Sequence, residues 1–575
     1  MNQVEIRNPK FETPISKITT KAQSTQRRNS LCVLCAFVFI CDFRISDFRF
    51  RIWRLGSIAA ASLCGLVVLV SCSKPIDPSR PRSAEATADS AVSADEDVPE
   101  ASSAQVHQFC GACHAYPLPE TFPRSAWRFE VMQGYGFYEH SNYDNPKLRS
   151  LGPVPPAATV IKYFENRAPI ELARLPKEPP QGGQPVKFER LDLSYPSNPT
   201  PAVSNVNLVH LYDDKKLDLL ACDMRSGEIL VLKPYEKDPA WKVLAKLSNP
   251  CHAEVVDLDG DGIKDLIVAD LGTFSPTNDK LGKVVWLRGR PDGTFMPYIL
   301  LDGVGRVADV QAADFNGDGK IDLIVGVFGW RFTGEIIYLE NQTTDWAKPK
   351  FARHVLDDRH GTIHVPVCDL NHDGRPDFVA LISQEHETIV AFMNEGNGHF
   401  RKETIYTATH PAYGSSGIQL VDMNGDGKLD VLYINGDVLD EPFLLKPYHG
   451  VQWLENQGKF PFVHHPVGQL YGAMGGVAAD FTGTGKMDIV AVSYMPEEWF
   501  PERNEAASAS IVYFEQTAHG QFVRRPLEML TCDHATCAAG AWDGDGKVHL
   551  VTGNLLLTPK HPPTSAVTLW KNLGP

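Results

Sequence analysis

The chain has 575 residues, 43% of them hydrophobic and 22% charged, which is enough apolar content to build more than one core. Its 70 acidic side chains against 55 basic ones leave a net charge of −15 at pH 7. An excess of that sign argues against nucleic acid as a partner and against docking on anionic lipid headgroups.

In chain order, Arg44, Arg49, Arg51 and Arg54 precede an apolar run from Leu55 to Val70, within a stretch that ends Leu69-Val-Ser-Cys72. A basic region, a short apolar segment and small residues before a Cys resemble a bacterial lipoprotein signal. The resemblance implies an exported protein lipidated at Cys72, facing the periplasm or cell surface and touching the membrane only through its lipid. A transmembrane anchor is the alternative, but the 16 residues of the run fall short of the roughly 20 that span a bilayer. Residues 1–43 hold a second apolar run, Leu31–Ile40, that neither reading uses. No Met lies between Met1 and Met132, so translation is expected to begin near residues 44–55 at a non-Met codon. Residues 1–72 are thus extension plus signal. Residues 73–102, rich in Ser, Ala, Pro, Asp and Glu without apolar periodicity, read as a flexible linker.

Cys110-Gly-Ala-Cys113-His114 follows. Two thiols three apart can each add across a haem vinyl group, and the adjacent His is placed as an iron ligand. A disulfide or half of a zinc site is the competing reading. Zinc would want a second Cys/His pair nearby, and between Ala115 and Ala221 there is no Cys and only His140 and, in the first repeat, His210. Val160–Phe164, with alanines before and Pro169 after, predicts a short amphipathic helix. Residues 103–173 resemble a class I cytochrome c, which implies a small all-α domain holding one covalent haem c. Met132 is the favoured sixth ligand, as the only Met between residues 101 and 200, with His140 and His107 as alternatives. Residues 174–186 read as a second linker.

From residue 187 onward one motif repeats. Asp257-Leu-Asp-Gly-Asp-Gly-Ile-Lys-Asp265 returns as 314–322, 369–377 and 422–430, with degenerate copies at 480–488 and 541–549 and an eroded one at 210–218. A period of about 55 residues built from short β-rich segments points to propeller blades. Each copy predicts an apolar strand into the Asp loop, a second leaving it, a third such as Val284-Val-Trp-Leu287, and a fourth beginning with an aromatic. The last copy stops after its third strand, and an orphan strand, Lys187–Leu193, precedes the first; pairing the two closes a ring of seven blades. Residues 187–575 resemble FG-GAP/VCBS repeats. The expected fold is mainly β, a seven-bladed propeller preceded by the small helical domain.

The spacing D-x-[D/N]-x-D-G-x-x-D presents side-chain oxygens at positions 1, 3, 5 and 9, a set suited to Ca²⁺. Four loops are calcium candidates. Their ligands are Asp257, Asp259, Asp261 and Asp265; Asp314, Asn316, Asp318 and Asp322; Asp369, Asn371, Asp373 and Asp377; and Asp422, Asn424, Asp426 and Asp430. Asx-rich turns without metal are the alternative.

Strand order puts the loops between second and third strands, and those between blades, on the face opposite the Asp loops. Seven His (252, 360, 364, 386, 410, 449 and 534) fall there. Counting five back from each repeat start gives Asn205, His252, Asp309, His364, Gly417, Gly475 and Thr536, expected to ring the channel mouth. The candidate site on this face centres on His252, Arg306, Asp309, His364 and His534. Cys532 and Cys537 are candidates for a disulfide. The leading function is a cell-envelope electron-transfer protein whose propeller binds a redox partner, a small molecule or a glycan. A redox enzyme passing electrons from a top-face substrate to the haem is the second reading, and an adhesin-like surface protein the third.

Overall fold

The computed structural model describes residues 98–112, 114–140, 152–177, 183–195, 200–439, 442–560 and 565–575. The expected leader, Cys72, most of the first linker and Cys113 lie outside these residues, as does the side chain of His140. Among the described residues no helix is long and apolar enough to cross a membrane.

Three helices come first: α1 (Ser103–Cys110), α2 (Trp127–His140) and α3 (Ala157–Arg167). Ser102 starts α1 with a reciprocal capping arrangement, its hydroxyl taking the Gln105 amide while the Gln105 side chain accepts from the Ser102 amide. The helices close over Val106, Phe122, Trp127, Val160 and Phe164, with the Trp127 and Phe164 rings stacked 3.9 Å apart. The predicted helix at Val160–Phe164 is the middle of α3.

The remainder is seven four-stranded antiparallel units, blade 4 with its inner strand in two pieces. In each blade the second strand, for example Asp265–Asp270 or Asp430–Asn435, is buried along its whole length. It is covered on both faces by neighbouring blades, and so its sequence is continuously apolar rather than alternating. The cores accordingly span two blades: Ile267 and Trp286 of one pack with Leu323 and Val325 of the next. Lys187–Leu193 pairs antiparallel with the final strand, Val567–Gly574, so the first strand of the propeller completes the seventh blade. Closure of this kind leaves no unpaired edge between first and last blades.

The inner strands carry one feature in register. Every pairing of inner and second strand shifts just before Asn205, His252, Asp309, His364, Gly417, Gly475 and Thr536. These are the seven residues expected at the channel mouth, and neighbouring inner strands touch one another around the ring. A bulge re-aims the residue that follows it. In blade 4 the inner strand also breaks, into Thr362–His364 and Val367–Cys368, around Pro366, which has no N–H for the ladder.

Candidate functional site

Three blades meet at the mouth of the channel. The Asp309 carboxylate stands between His252, whose Nε2 is 3.4 Å from Oδ1, and His364, whose Nδ1 is 3.9 Å from Oδ2. The break at Pro366 supplies a further partner, since the Val365 amide donates to Asp309 Oδ2 at 2.8 Å. Gln311 donates to Asp309 Oδ1 and lies 3.2 Å from His252 Nε2, and Glu254 sits 3.6 Å from the same nitrogen. Burial opposes a charge on His252, but Asp309 and Glu254 outweigh it and raise the imidazole to about 9. Burial holds His364 below its usual value, with Asp309 pulling the other way and His252 adding to the depression. The mouth thus pairs a protonated imidazole with a neutral one across a single carboxylate, an arrangement able to donate and accept protons.

Two members of the expected site stand elsewhere. His534 is completely buried within blade 7, with Nδ1 2.6 Å from Asn554 Oδ1 and Nε2 2.6 Å from Glu528 Oε2. Its ring ties the second strand of blade 7 to the outer strand of blade 6. Arg306 is buried among the loops of the same face, donating to the Thr273 and Phe274 carbonyls over the Phe328 ring. The expected Cys532–Cys537 disulfide is not formed. Both are free thiols, and Cys532 Sγ is instead directed at the Ala509 carbonyl.

A cleft lies on the same face, between the helices and blades 3 to 5. It encloses about 1530 Å³ of empty space, its open mouth included. One wall is apolar: Phe109, Phe122, Trp127, Tyr135, Phe137 and Phe164, with Cys110 and His114 among them. The other is polar: Arg331, His360, Glu385, Glu387 and Lys446 from propeller loops. The helices are held here by an Arg331–Gln133 hydrogen bond, by Arg331 over the Phe137 ring at 5.1 Å, by Lys446 over the Phe122 ring at 5.7 Å, and by Tyr448 donating to the Thr121 carbonyl.

The thiol of Cys110 ends α1 in this wall, and burial pushes it up to about 12. His114 places Nδ1 2.7 Å from the Ala115 carbonyl, a bond that makes Nδ1 the protonated nitrogen and leaves Nε2 as the ligand atom. Met132 is 52% exposed and is not among the residues lining the cleft, so the structure does not bring it to His114. His107 lies flat on the Tyr116 ring at 3.7 Å, also outside the cleft.

The propeller wall holds a compact cluster. His360 Nε2 lies 2.8 Å from Glu385 Oε2, His386 Nε2 lies 3.9 Å from Glu385 Oε1, and the two rings meet edge to face at 5.1 Å. Burial opposes ionisation of Glu385, yet the hydrogen bond from His360 and both imidazole charges lower it to about 2. Burial depresses His386 to about 4, against the pull of Glu385. Glu387 next door is fully enclosed, and burial raises it to about 8 although Ser415 and Gly414 amides bond to it.

The Asp-rich loops lie on the far face. In the 257–265 loop Asp257 accepts the Asp261 and Gly262 amides, and Asp261 accepts the Ile263 amide. The same folding recurs at 314–322, 369–377 and 422–430. Position 9 also ties the loop to the blade. Asp265, Asp322, Asp377 and Asp430 are completely buried, each accepting one amide from its own loop and one from the end of the third strand. Positions 1, 3 and 5 lie nearer the surface, except that the Asp259 side chain is only 1% exposed, paired with Arg288. Asp257, Asp259 and Asp265 still bring three carboxylates within 4.8 Å of one another.

Sequence reading singled out neither Gln311 and Glu254 at the mouth nor the convergence of Arg331, Glu385, Glu387 and Lys446 on the helices. The first pair carried a signal: Glu254 and Gln311 stand two residues after His252 and Asp309, on the same face of their strands. The second had none, because docking of one segment on another leaves no periodicity in either.

Comparison with known proteins bears on the propeller alone. Residues 257–325 and 353–433 match the FG-GAP-like repeat family. A T-cell immunomodulatory protein homolog of Plasmodium yoelii yoelii is 25% identical over 154 residues, covering 22% of this chain and 22% of that protein. The chain therefore spans less than a quarter of the length of this curated relative. The chain carries FG-GAP-like repeats, and they form the blades of a seven-bladed β-propeller.

Proposed function

We propose that the protein is a c-type haem electron-transfer protein of the cell envelope, exported and anchored by a lipid at Cys72, with a calcium-binding propeller that engages a ligand or redox partner. The observation that carries this reading is the cleft. Cys110 and His114 of the CxxCH motif face it, the His114 tautomer leaves a nitrogen for iron, and the aromatic wall suits a flat apolar macrocycle. Arg331 and Lys446 on the facing wall suit the two carboxylates that a haem carries. A haem so held supplies one-electron chemistry; the chain's own part is to orient it, exclude water and set its charge environment. The test is haem stain on the denatured polypeptide. Staining of the wild type, with Cys110→Ala blocking normal two-thioether attachment, supports the reading; an unstained wild type rejects it.

A redox enzyme is the second reading, favoured by one observation: the His252–Asp309–His364 group opens on the same face as the cleft. Its imidazoles would take the protons released when a small substrate gives up electrons. Substrate-driven haem reduction in the wild type, abolished in His364→Ala with the haem spectrum intact, supports it. Ligand binding without reduction favours the carrier or the adhesin-like reading.

A further inference from the structure

We propose that the second axial ligand of the haem comes from the propeller, as an imidazole of the His360–Glu385–His386 cluster; the inference rests on the haem reading above.

Three observations lead there. Of the ligands expected from the helices, Met132 is 52% exposed and off the cleft, His107 is stacked on Tyr116, and the His140 side chain lies outside the described residues. Besides His114, the imidazole lining the cleft among the described residues is His360, on the opposite wall and only 2% exposed. His386 stands beside it, the two rings meeting edge to face at 5.1 Å.

The cluster also has the form of a ligand set rather than of a surface ion pair. His360 is bonded through Nε2 to a carboxylate that is itself largely enclosed, the outer-shell pairing that fixes tautomer and ring plane in metal-bound histidines. Two imidazoles and that carboxylate hold their ligand atoms within 4.8 Å of one another. The backbone presenting them is constrained: Gln384 and Glu387 flank the segment with positive φ, and a Cβ on Gly334 would lie 2.3 Å from the His360 Cα. A ligand from the propeller would make iron coordination a clamp between the two parts of the chain. It would also give a lower reduction potential than a thioether ligand, since a second imidazole replaces sulfur.

The experiment uses the full-length haem-loaded protein and reads its optical and electron paramagnetic resonance spectra. The wild type is expected to be low-spin in the ferric state without a sulfur-to-iron charge-transfer band, and Met132→Leu is expected to leave both spectra unchanged. The double variant His360→Ala/His386→Ala is expected to turn high-spin while the denatured chain still stains for haem. Free imidazole should then restore the low-spin spectrum, which separates loss of a ligand from loss of the fold. The single variants assign the ligand within the cluster. A double variant that keeps the wild-type spectrum overturns the inference, as does a high-spin Met132→Leu or a high-spin wild type. These outcomes leave the haem reading standing, whereas an unstained wild type removes both.

Discussion

Asp430 accepts the Met423 amide, the Asn456 amide and the Trp453 indole N–H, and is completely buried. Met423 lies in the loop and Trp453 and Asn456 at the third strand, so one carboxylate fixes the loop to that strand. Asp218 does the same in the eroded first copy through the Tyr212 amide and Tyr235 hydroxyl. In blade 7 His549 stands at that position, its Nδ1 taking the Asn572 amide while Nε2 contacts Asp543. Removing the carboxylate strands buried donors, so Asp430→Ala is expected to destabilise the fold by about 2–4 kcal/mol, with or without calcium, in denaturant titration. Asp426→Ala, at an exposed loop position, should matter only when calcium is present. At the mouth, His252 has a folded value of about 9 against an ordinary value of about 6.5. Between these the folded chain keeps a proton that the unfolded chain releases, so this contribution is full below pH 6.5 and is lost as pH rises through 9. His252→Gln should flatten that part of the stability profile; an unchanged slope would place the proton elsewhere.

The blades were legible as elements because the Asp loop recurs at a near-constant period and the buried second strands read as unbroken apolar runs. The closing strand was legible for the same reason: a blade short by one strand at one end and a surplus strand at the other have a single economical solution. What spacing does not show is which way a carboxylate faces. Positions 1, 3, 5 and 9 look alike in sequence, yet Asp377 turns inward to the Leu370 and Asn394 amides while Asp373 stays outside with Arg375. The register of the mouth could be counted, and Asp309 and His364 fall where counting puts them. His534, counted from a loop, instead starts the inner strand two residues before the mouth position and is held by Asn554 and Glu528. If the loop oxygens bind Ca²⁺, chelation should lower the melting temperature. An ion bound only to the folded state at 100 times its Kd contributes about 2.7 kcal/mol per site. A melting curve indifferent to chelator, in protein assayed free of metal, would assign the loops to Asx turns alone.

Across the whole molecule the chain visits the propeller from the helical side and then travels round it. Leu175 donates its amide to the Tyr471 hydroxyl at 2.6 Å, between blades 5 and 6, and Gln184 reaches the Pro526 carbonyl on the outer strand of blade 6. The next strand, Lys187–Leu193, pairs with the last strand of blade 7. Helices docked over blades 3 to 5 are therefore tied to the strand that shuts the ring. Phe188 packs on Phe481 of blade 6, Arg190 lies over the Trp570 ring and pairs with Glu528, and Asp192 accepts from the Thr568 hydroxyl. Deleting residues 187–193 would leave the outer edge of the final strand unpaired and detach blade 7 from the segment that anchors the helices. An open edge both frays and templates aggregation. The expected result is a lower melting temperature, a broader transition and concentration-dependent association. Phe188→Ala, which keeps the strand but loses one packing contact, should cost only about 2 kcal/mol and stay cooperative. Equal behaviour of the two variants would mean that packing of Phe188, and not closure of the ring, is what this strand contributes.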